Sequence, residues 1–304
     1  MRPVILLFIF IFLALLSGAL LSFPLYELLN NFFDIRFNKL ISHLSSLCGL
    51  AFIFLYLKFY NVLELDTAGF ARGRAPVSRD FLYGVLIGIL IMVFLEIFML
   101  VLEIRKPAPE LSFNLALIPF ISRAMISGIA VGLIEETLYR GALLGGLMRK
   151  SGILTAVITS SLVYAAVHFI RFPAMAGISE TGWTAGPLVL LDAFDRFLDP
   201  GIIDSFLSLT AFGAFLALVR LSRGNIYQCI GIHAGVVMSI KIIVKITDYN
   251  PDSVLYFLVN GHDHHLGYLS LIWLSLLTII YYRYGNRHNG LLKRSNRTAG
   301  QANG

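Results

Sequence analysis

Residues 132–147 read GLIEETLYRGALLGGL. This stretch places two adjacent carboxylates, Glu135 and Glu136, and one cation, Arg140, inside an apolar run of helical length. A charged side chain at the centre of a bilayer costs at least ~2.5–3.5 kcal/mol. Three charges within six residues therefore require partners or a function, if the run lies in a membrane.

The composition of the chain indicates that this run lies in a membrane. The chain has 304 residues, of which 57% are hydrophobic and 14% charged, whereas globular domains have about 45–50% and 25%. Helices and closed barrels are the folds that satisfy their own backbone in lipid, and these apolar runs lack the alternation of barrel strands. The fold class predicted is an all-α, polytopic membrane protein with about eight transmembrane helices.

The predicted spans follow from the length that crosses a bilayer, about 20 residues. They are 4–24, 41–60, 81–103, 114–147, 153–170, 203–221, 225–246 and 267–284. The first resembles a signal peptide in part, but its apolar run continues past the small residues at 17–19, which favours a retained anchor. We expect one integral-membrane domain over 1–284 and a polar, disordered cytoplasmic tail over 285–304.

The net charge of +6 comes from Lys and Arg in the breaks between apolar runs and in the tail, a topology signal rather than a nucleic-acid footprint. Thirteen of these residues fall on the side that carries both termini and eight on the other. The positive-inside rule then predicts both termini in the cytoplasm. The expected location is a bacterial plasma membrane, with lipids as partners and no nucleic acid.

The charges of the opening stretch divide into a pair and a single carboxylate. On an α-helix Glu136 and Arg140 are i and i+4, in the favoured order of acid before base, so they can neutralise each other. Glu135 is turned about 100° from Glu136. It must protonate, find a partner on another helix or face water. The pair is predicted to be scaffold and Glu135 to be the group available for chemistry.

Two histidines can join Glu135 at a similar depth. At 1.5 Å per residue, Glu135 lies about 21 Å from Arg149, His168 about 24 Å from the start of its span, and His233 about 15 Å from Arg223. Modest tilt brings the three to one level. Intramembrane ionisable groups mark functional sites by default.

The segment 186–201, GPLVLLDAFDRFLDPG, has acidic residues on one side of a helical projection and apolar residues on the other. It is predicted to be an amphipathic helix in the membrane interface. It serves either to close the bundle or to gate the substrate.

Three motifs in order resemble the CPBP family, the CAAX proteases and bacteriocin-processing enzymes also called Abi. EETLYR at 135–140 matches EExxxR, Tyr164–His168 matches FxxxH with Tyr for Phe, and His233–Val237 matches a final His-x₃-Asn/Asp with Val in the last place. The resemblance covers about 115–245. It implies an eight-helix intramembrane endopeptidase for a protein or peptide with a hydrophobic or lipidated end.

The resemblance also implies roles. Glu135 activates a water with help from His168, Glu136 and Arg140 orient the site, and His233 binds the oxyanion. Val237 cannot donate the hydrogen bond of the family's Asn, a loss that typically lowers turnover about 10²–10³-fold. Glu135, His168 and His233 are also a zinc-type ligand set, so a glutamic and a metal-assisted mechanism with a divalent metal such as zinc both stay open.

Two other functions compete at this stage. Buried Glu and His residues also build proton relays, so a transporter or proton-coupled carrier is the first alternative. Val237 makes a non-catalytic, partner-binding member of the family the second.

Overall fold

A computed structural model describes residues 2–33, 35–59, 69–70, 76–108, 117–149, 151–173, 182–259 and 265–289 of the chain. Most of the predicted tail lies outside these residues.

The described residues are mainly helical. The helices are α1 (Arg2–Leu29), α2 (Phe37–Phe59), α3 (Val77–Val101), α4 (Leu117–Glu136), α5 (Leu144–Met148), α6 (Ile153–Val167), α7 (Ala185–Asp192), α8 (Ile203–Arg223), α9 (Tyr227–Ile246) and α10 (Tyr268–Asn289). A π-helix, Thr137–Leu143, joins α4 to α5.

Each predicted span coincides with a helix or, for 114–147, with the run from α4 to α5. Among the described residues, six helical runs are long and apolar enough to cross a membrane, and α6 and α10 are shorter apolar helices. The prediction of an all-α polytopic membrane protein is confirmed, because the runs satisfy their backbone internally and carry few charges.

The chain forms two compact units. The first comprises Met1–Leu63 and Ala166–Ile202, and the second Glu64–Ala165 and Ile203–Gly304. In the first unit, α7 packs on α1 so closely that a Cβ on Gly186 would lie 1.9 Å from the Ala19 carbonyl oxygen.

In the second unit α9 lies between α3 and α4, and glycines bring the backbones together on both sides. A Cβ on Gly88 of α3 would lie 2.2 Å from the Ile232 carbonyl oxygen, and one on Gly231 of α9 would lie 2.1 Å from that of Phe81. On the other face, a Cβ on Gly128 of α4 would lie 2.6 Å from the Ala234 carbonyl oxygen. Small residues at such spacing are the usual means of close helix packing in membranes.

Two short strands, which the sequence did not predict, close one end of this unit. β1 (Arg105–Pro107) pairs antiparallel with β2 (Thr247–Tyr249). The buried Arg105 Nε lies 3.1 Å from Glu96 Oε1 and donates a hydrogen bond to Thr247 Oγ1 at 2.8 Å. Its guanidinium also lies 4.5 Å from the ring centre of Tyr249, and burial raises the pKa of Tyr249 to about 12. Tyr249 is therefore neutral over the physiological range.

The predicted single helix over 186–201 is wrong. α7 ends at Asp192, and 3₁₀ turns follow at Asp195–Leu198 and Pro200–Ile202. Pro200 disfavours helical backbone at the residue before it, and Asp199 is indeed extended, with its side chain accepting a hydrogen bond from Gly201 N at 2.8 Å. The residues of the predicted apolar side are exposed: Leu191, Phe194, Phe197 and Leu198.

Candidate active site

The two adjacent glutamates lie where the α-helix changes to a π-helix. α4 ends at Glu136 and the π-helix begins at Thr137. The Thr137 hydroxyl donates a 2.6 Å hydrogen bond to the Leu133 carbonyl oxygen, the acceptor that the Thr137 N–H would use in an α-helix. π-Helical turns are rare and are frequently found at functional sites. The prediction treated the whole run as α-helix, and this local change was not foreseen.

Glu136 is completely buried and has two partners. Its Oε2 lies 3.4 Å from Arg140 Nε, so the predicted i,i+4 ion pair is present. Its Oε1 lies 2.9 Å from His233 Nδ1, a contact that the sequence did not predict. Glu136 therefore does more than neutralise Arg140, because it also holds one nitrogen of an imidazole from another helix.

Glu135 contacts the other nitrogen of the same ring. Its Oε2 lies 3.8 Å from His233 Nε2, and its side chain is 26% exposed, whereas that of Glu136 is fully buried. Of the three alternatives for Glu135, a partner on another helix is thus present. One imidazole lies between two neighbouring carboxylates that differ in accessibility.

Aromatic rings surround the buried charges. The Arg140 guanidinium lies 4.8 Å from the ring centre of Tyr164 and 5.9 Å from that of Tyr139. Within the described chain none of its nitrogens makes a hydrogen bond. Its positive charge is therefore stabilised by the faces of the two rings and by the Glu136 carboxylate. Phe212 packs edge-on to His233 at 5.8 Å. Phe212 was not predicted, since an aromatic residue in an apolar span carries no distinguishing signal.

The position of His233 depends on the glycines of α9. His233 lies between Gly231 and Gly235, both of which contact the α3 backbone, while its own Cβ faces Gly132 of α4. α3, α4 and α9 each carry a G-x₃-G pair that is visible in the sequence, at 84 and 88, 128 and 132, and 231 and 235, but this spacing was not used in the prediction.

Two further residues, His168 and Val237, belong to the predicted motifs. His168 follows the end of α6 and belongs to the first unit, so its part in the site stays a prediction. Val237 lies on α9, one turn beyond His233, and is half-buried.

The described residues do not supply an evident metal site. Within them no group of three or more His, Cys, Asp or Glu side chains is placed to hold a metal ion.

Comparison with known proteins tests the resemblance to the CPBP family that the three sequence motifs suggest. Residues 117–239 match a family model described as "Type II CAAX prenyl endopeptidase Rce1-like". No curated protein and no solved structure matches the chain. The matched region extends from the start of α4 into α9 and includes Glu135 and Glu136 at the end of α4, Arg140 on the π-helix and His233 on α9. The match covers 123 of the 304 residues, supports the resemblance to the CPBP family and favours a protease over a carrier: residues 117–239 are similar to an Rce1-like endopeptidase, within a multi-pass membrane protein.

Proposed function

We propose that the enzyme hydrolyses a peptide bond with a water activated by Glu135 and oriented by His233. The observation that supports this most directly is the shared imidazole, which has Glu136 on Nδ1 at 2.9 Å and Glu135 on Nε2 at 3.8 Å.

The two glutamates have separate tasks in this proposal. Glu136 is buried and ion-paired with Arg140, so it stays a hydrogen-bond acceptor for His233 Nδ1–H. The Glu135 side chain is 26% exposed, so a substrate can approach it, while its Oε2, which faces His233, is buried. Buried partners that fix the tautomer of a reacting imidazole are common in hydrolytic sites.

His233 then presents an unprotonated Nε2 towards Glu135. The 3.8 Å separation is too long for a direct hydrogen bond, but one water can contact both atoms. One O–H of that water points to Glu135 and the other to His233 Nε2. In this tautomer His233 orients the nucleophile, a different role from the oxyanion binding that the family resemblance implies.

The proposed reaction needs two proton transfers, one from the water to Glu135 and one from Glu135 to the leaving nitrogen. Glu135 takes a proton as the water oxygen forms a bond to the carbonyl carbon of the substrate. Glu135 then gives that proton to the amide nitrogen as the C–N bond breaks, and a carboxylic acid and an amine leave. A general base of this kind typically contributes about 10²–10⁴-fold to the rate.

The substrate class proposed is a polypeptide with a prenylated or otherwise hydrophobic end. The family whose model matches residues 117–239 is that of Rce1-like CAAX prenyl endopeptidases. A site within membrane-spanning helices is also reached most readily by substrates that partition into lipid. The bacterial membrane and the cytoplasmic placement of both termini stay predictions.

Glu135→Gln tests the proposal, with Glu27→Gln, an exposed glutamate of α1, as the matched control. Membranes from cells that express each form are searched by mass spectrometry for polypeptides whose ends differ from those in cells lacking the protein. The purified forms are then assayed on a polypeptide found in this way and on a farnesylated CAAX peptide.

We expect Glu27→Gln to cleave like the wild type and Glu135→Gln to be at least about 100-fold slower. Full cleavage by Glu135→Gln would refute its role as the base. Cleavage of the native polypeptide but not of the farnesylated peptide would leave the mechanism intact and refute the prenyl substrate.

A further inference from the structure

Three exposed cations lie together on the outer surface of α4 and α9, away from the candidate active site. They are Arg123 on α4 and Lys241 and Lys245 on α9. The Lys241 Nζ donates a 2.5 Å hydrogen bond to Ser127 Oγ on α4, which fixes the register of the two helices at this point.

The register places the other two cations side by side. Arg123 precedes Ser127 by four residues, and Lys245 follows Lys241 by four. The helices are antiparallel, as the contacts of Gly128 with Ala234 and of Gly132 with Ile230 show. Each step of four residues therefore moves about 6 Å in the same direction. Arg123, whose Nε donates a hydrogen bond to the Pro119 carbonyl oxygen, and Lys245 therefore lie at the same level, one turn beyond the Ser127–Lys241 contact.

This cationic cluster, defined as Arg123, Lys241 and Lys245, has no counter-charge in the part of the chain that the structure describes. None of the three makes an ion pair there. Lys241 and Lys245 are like charges at i and i+4, which destabilises an isolated helix. An anion bound at this position would relieve the repulsion between the two lysines.

The surroundings of the cluster are apolar and exposed. Ile126 on α4 is 64% exposed and Val244 on α9 is 56% exposed. Both belong to helices that are long and apolar enough to span a membrane. A surface of exposed aliphatic side chains with cations at one end is complementary to a phospholipid. The aliphatic side chains can contact its acyl chains, and the cations can contact its phosphate.

The depth of the cluster agrees with that pattern. Lys245 is one residue from the end of α9, and Arg123 is in the second turn of α4. The cluster is twelve residues from Glu135 along α4 and twelve residues from His233 along α9, about 18 Å in each case. Half the hydrocarbon thickness of a bilayer is about 15 Å, so cations at phosphate level place the two catalytic groups near the midplane.

From these observations we infer that the cationic cluster is a binding site for the phosphate of an anionic phospholipid. The phosphate contacts Arg123, Lys241 and Lys245, and the acyl chains lie on the exposed aliphatic surface of α4 and α9. The inference is independent of the catalytic roles proposed above.

The test measures phospholipid binding to the purified full-length protein in detergent micelles. The probe is fluorescent phosphatidylglycerol, with phosphatidylcholine as the zwitterionic competitor and inorganic phosphate as the soluble anion. The test variant is Arg123→Gln/Lys241→Gln/Lys245→Gln. The matched control removes one Arg and two Lys at exposed positions elsewhere and so changes the net charge equally: Arg79→Gln/Lys39→Gln/Lys58→Gln.

Each cation at a phosphate surface contributes about five-fold to affinity, so the test variant should bind phosphatidylglycerol about 100-fold more weakly. The control should bind like the wild type, and millimolar inorganic phosphate should not displace the lipid. If the triple variant does not fold, Lys245→Gln, which removes a side chain with no polar contact to the described chain, should still lose about five-fold.

Two results would overturn the inference. Equal affinity in the test and control variants would show that the cluster does not bind the headgroup. Displacement of the lipid by inorganic phosphate would assign the cluster to a soluble anion instead.

Discussion

Replacing Gly231 by alanine should disable the enzyme through the position of His233, although Gly231 touches no catalytic group. An added methyl at this position would lie 2.1 Å from the Phe81 carbonyl oxygen of α3, and ordinary contact begins at 3.4 Å. The two helices must therefore separate by about 1.3 Å. α9 shares this displacement with α3, and the α4 glycines already contact its other face, so α9 must slide or rotate against α4 rather than approach it.

Two effects should follow from this displacement. Overpacking of a close helix contact typically costs about 1–3 kcal/mol of unfolding free energy. A shift of about 1 Å also breaks the 2.9 Å contact between His233 and Glu136, and a misplacement of this size can lower turnover about 100-fold. The loss should appear in kcat rather than KM, because no group that binds the substrate has been removed.

The assay uses the buried thiol of Cys229 on α9 as its reporter. In a Cys48→Ser background, which removes the half-buried second thiol, a thiol-reactive fluorogenic dye followed during heating reports the unfolding of this helix. Cleavage rates are measured on the same preparation. Gly146→Ala is the control, since an added methyl there meets nothing within 4 Å. It should be neutral or slightly stabilising, because alanine favours helix over glycine by about 1 kcal/mol. Wild-type activity in Gly231→Ala would show that the α3–α9 contact does not position His233.

Two further substitutions test the aromatic surroundings of the site and the buried Arg105–Glu96 ion pair beside the strands β1 and β2. Tyr164→Leu removes a ring that faces the Arg140 guanidinium and should lower the unfolding free energy by about 2 kcal/mol in thermal melts, the value of a desolvated cation–π contact. Tyr164→Phe keeps the ring and should retain that stability. Equal loss in both variants would contradict the role of the ring. Arg105→Gln leaves Glu96 buried without its cation and should lower the unfolding free energy by about 3–5 kcal/mol in thermal melts, whereas Lys106→Gln, an exposed neighbour, should change it by less than about 0.5 kcal/mol.

The features that a bilayer imposes were predictable from the sequence. Apolar length alone located each membrane helix, since no other fold satisfies the backbone of such segments in lipid. The i,i+4 pair of Glu136 and Arg140 was equally predictable, because it depends on a single helix. α6 extends only from Ile153 to Val167, so the predicted span 153–170 was too long at its end, where hydropathy carries no signal for a helix terminus.

Contacts between helices were less predictable. The pairing of His233 with both glutamates depends on the rotation of α9 against α4, which the interleaved glycines set and which depth estimates do not constrain. The strands β1 and β2 have three residues each, too few for a periodic pattern. Arg105 and Glu96 were therefore not recognised as partners, although both are charges at the boundary of an apolar run.

The Glu136–Arg140 pair offers a way to separate stability from catalysis. Both side chains are fully buried and 3.4 Å apart, so Arg140→Met alone leaves an uncompensated buried carboxylate and should cost about 3–5 kcal/mol of unfolding free energy. Glu136→Gln/Arg140→Met removes both charges, keeps an amide oxygen opposite His233 Nδ1, and should recover most of that loss, because well-packed neutral replacements of buried ion pairs are often neutral or stabilising.

Activity should not recover with stability in the double variant. A neutral amide oxygen holds the His233 Nδ1–H more weakly than a carboxylate does, so Nε2 is less firmly directed at the water beside Glu135. We expect a thermal stability close to that of the wild type together with a kcat at least about ten-fold lower. A double variant that is both stable and fully active would mean that Glu136 and Arg140 only neutralise each other, and the orientation of His233 would then have to come from its ring contacts and the glycine packing of α9 alone.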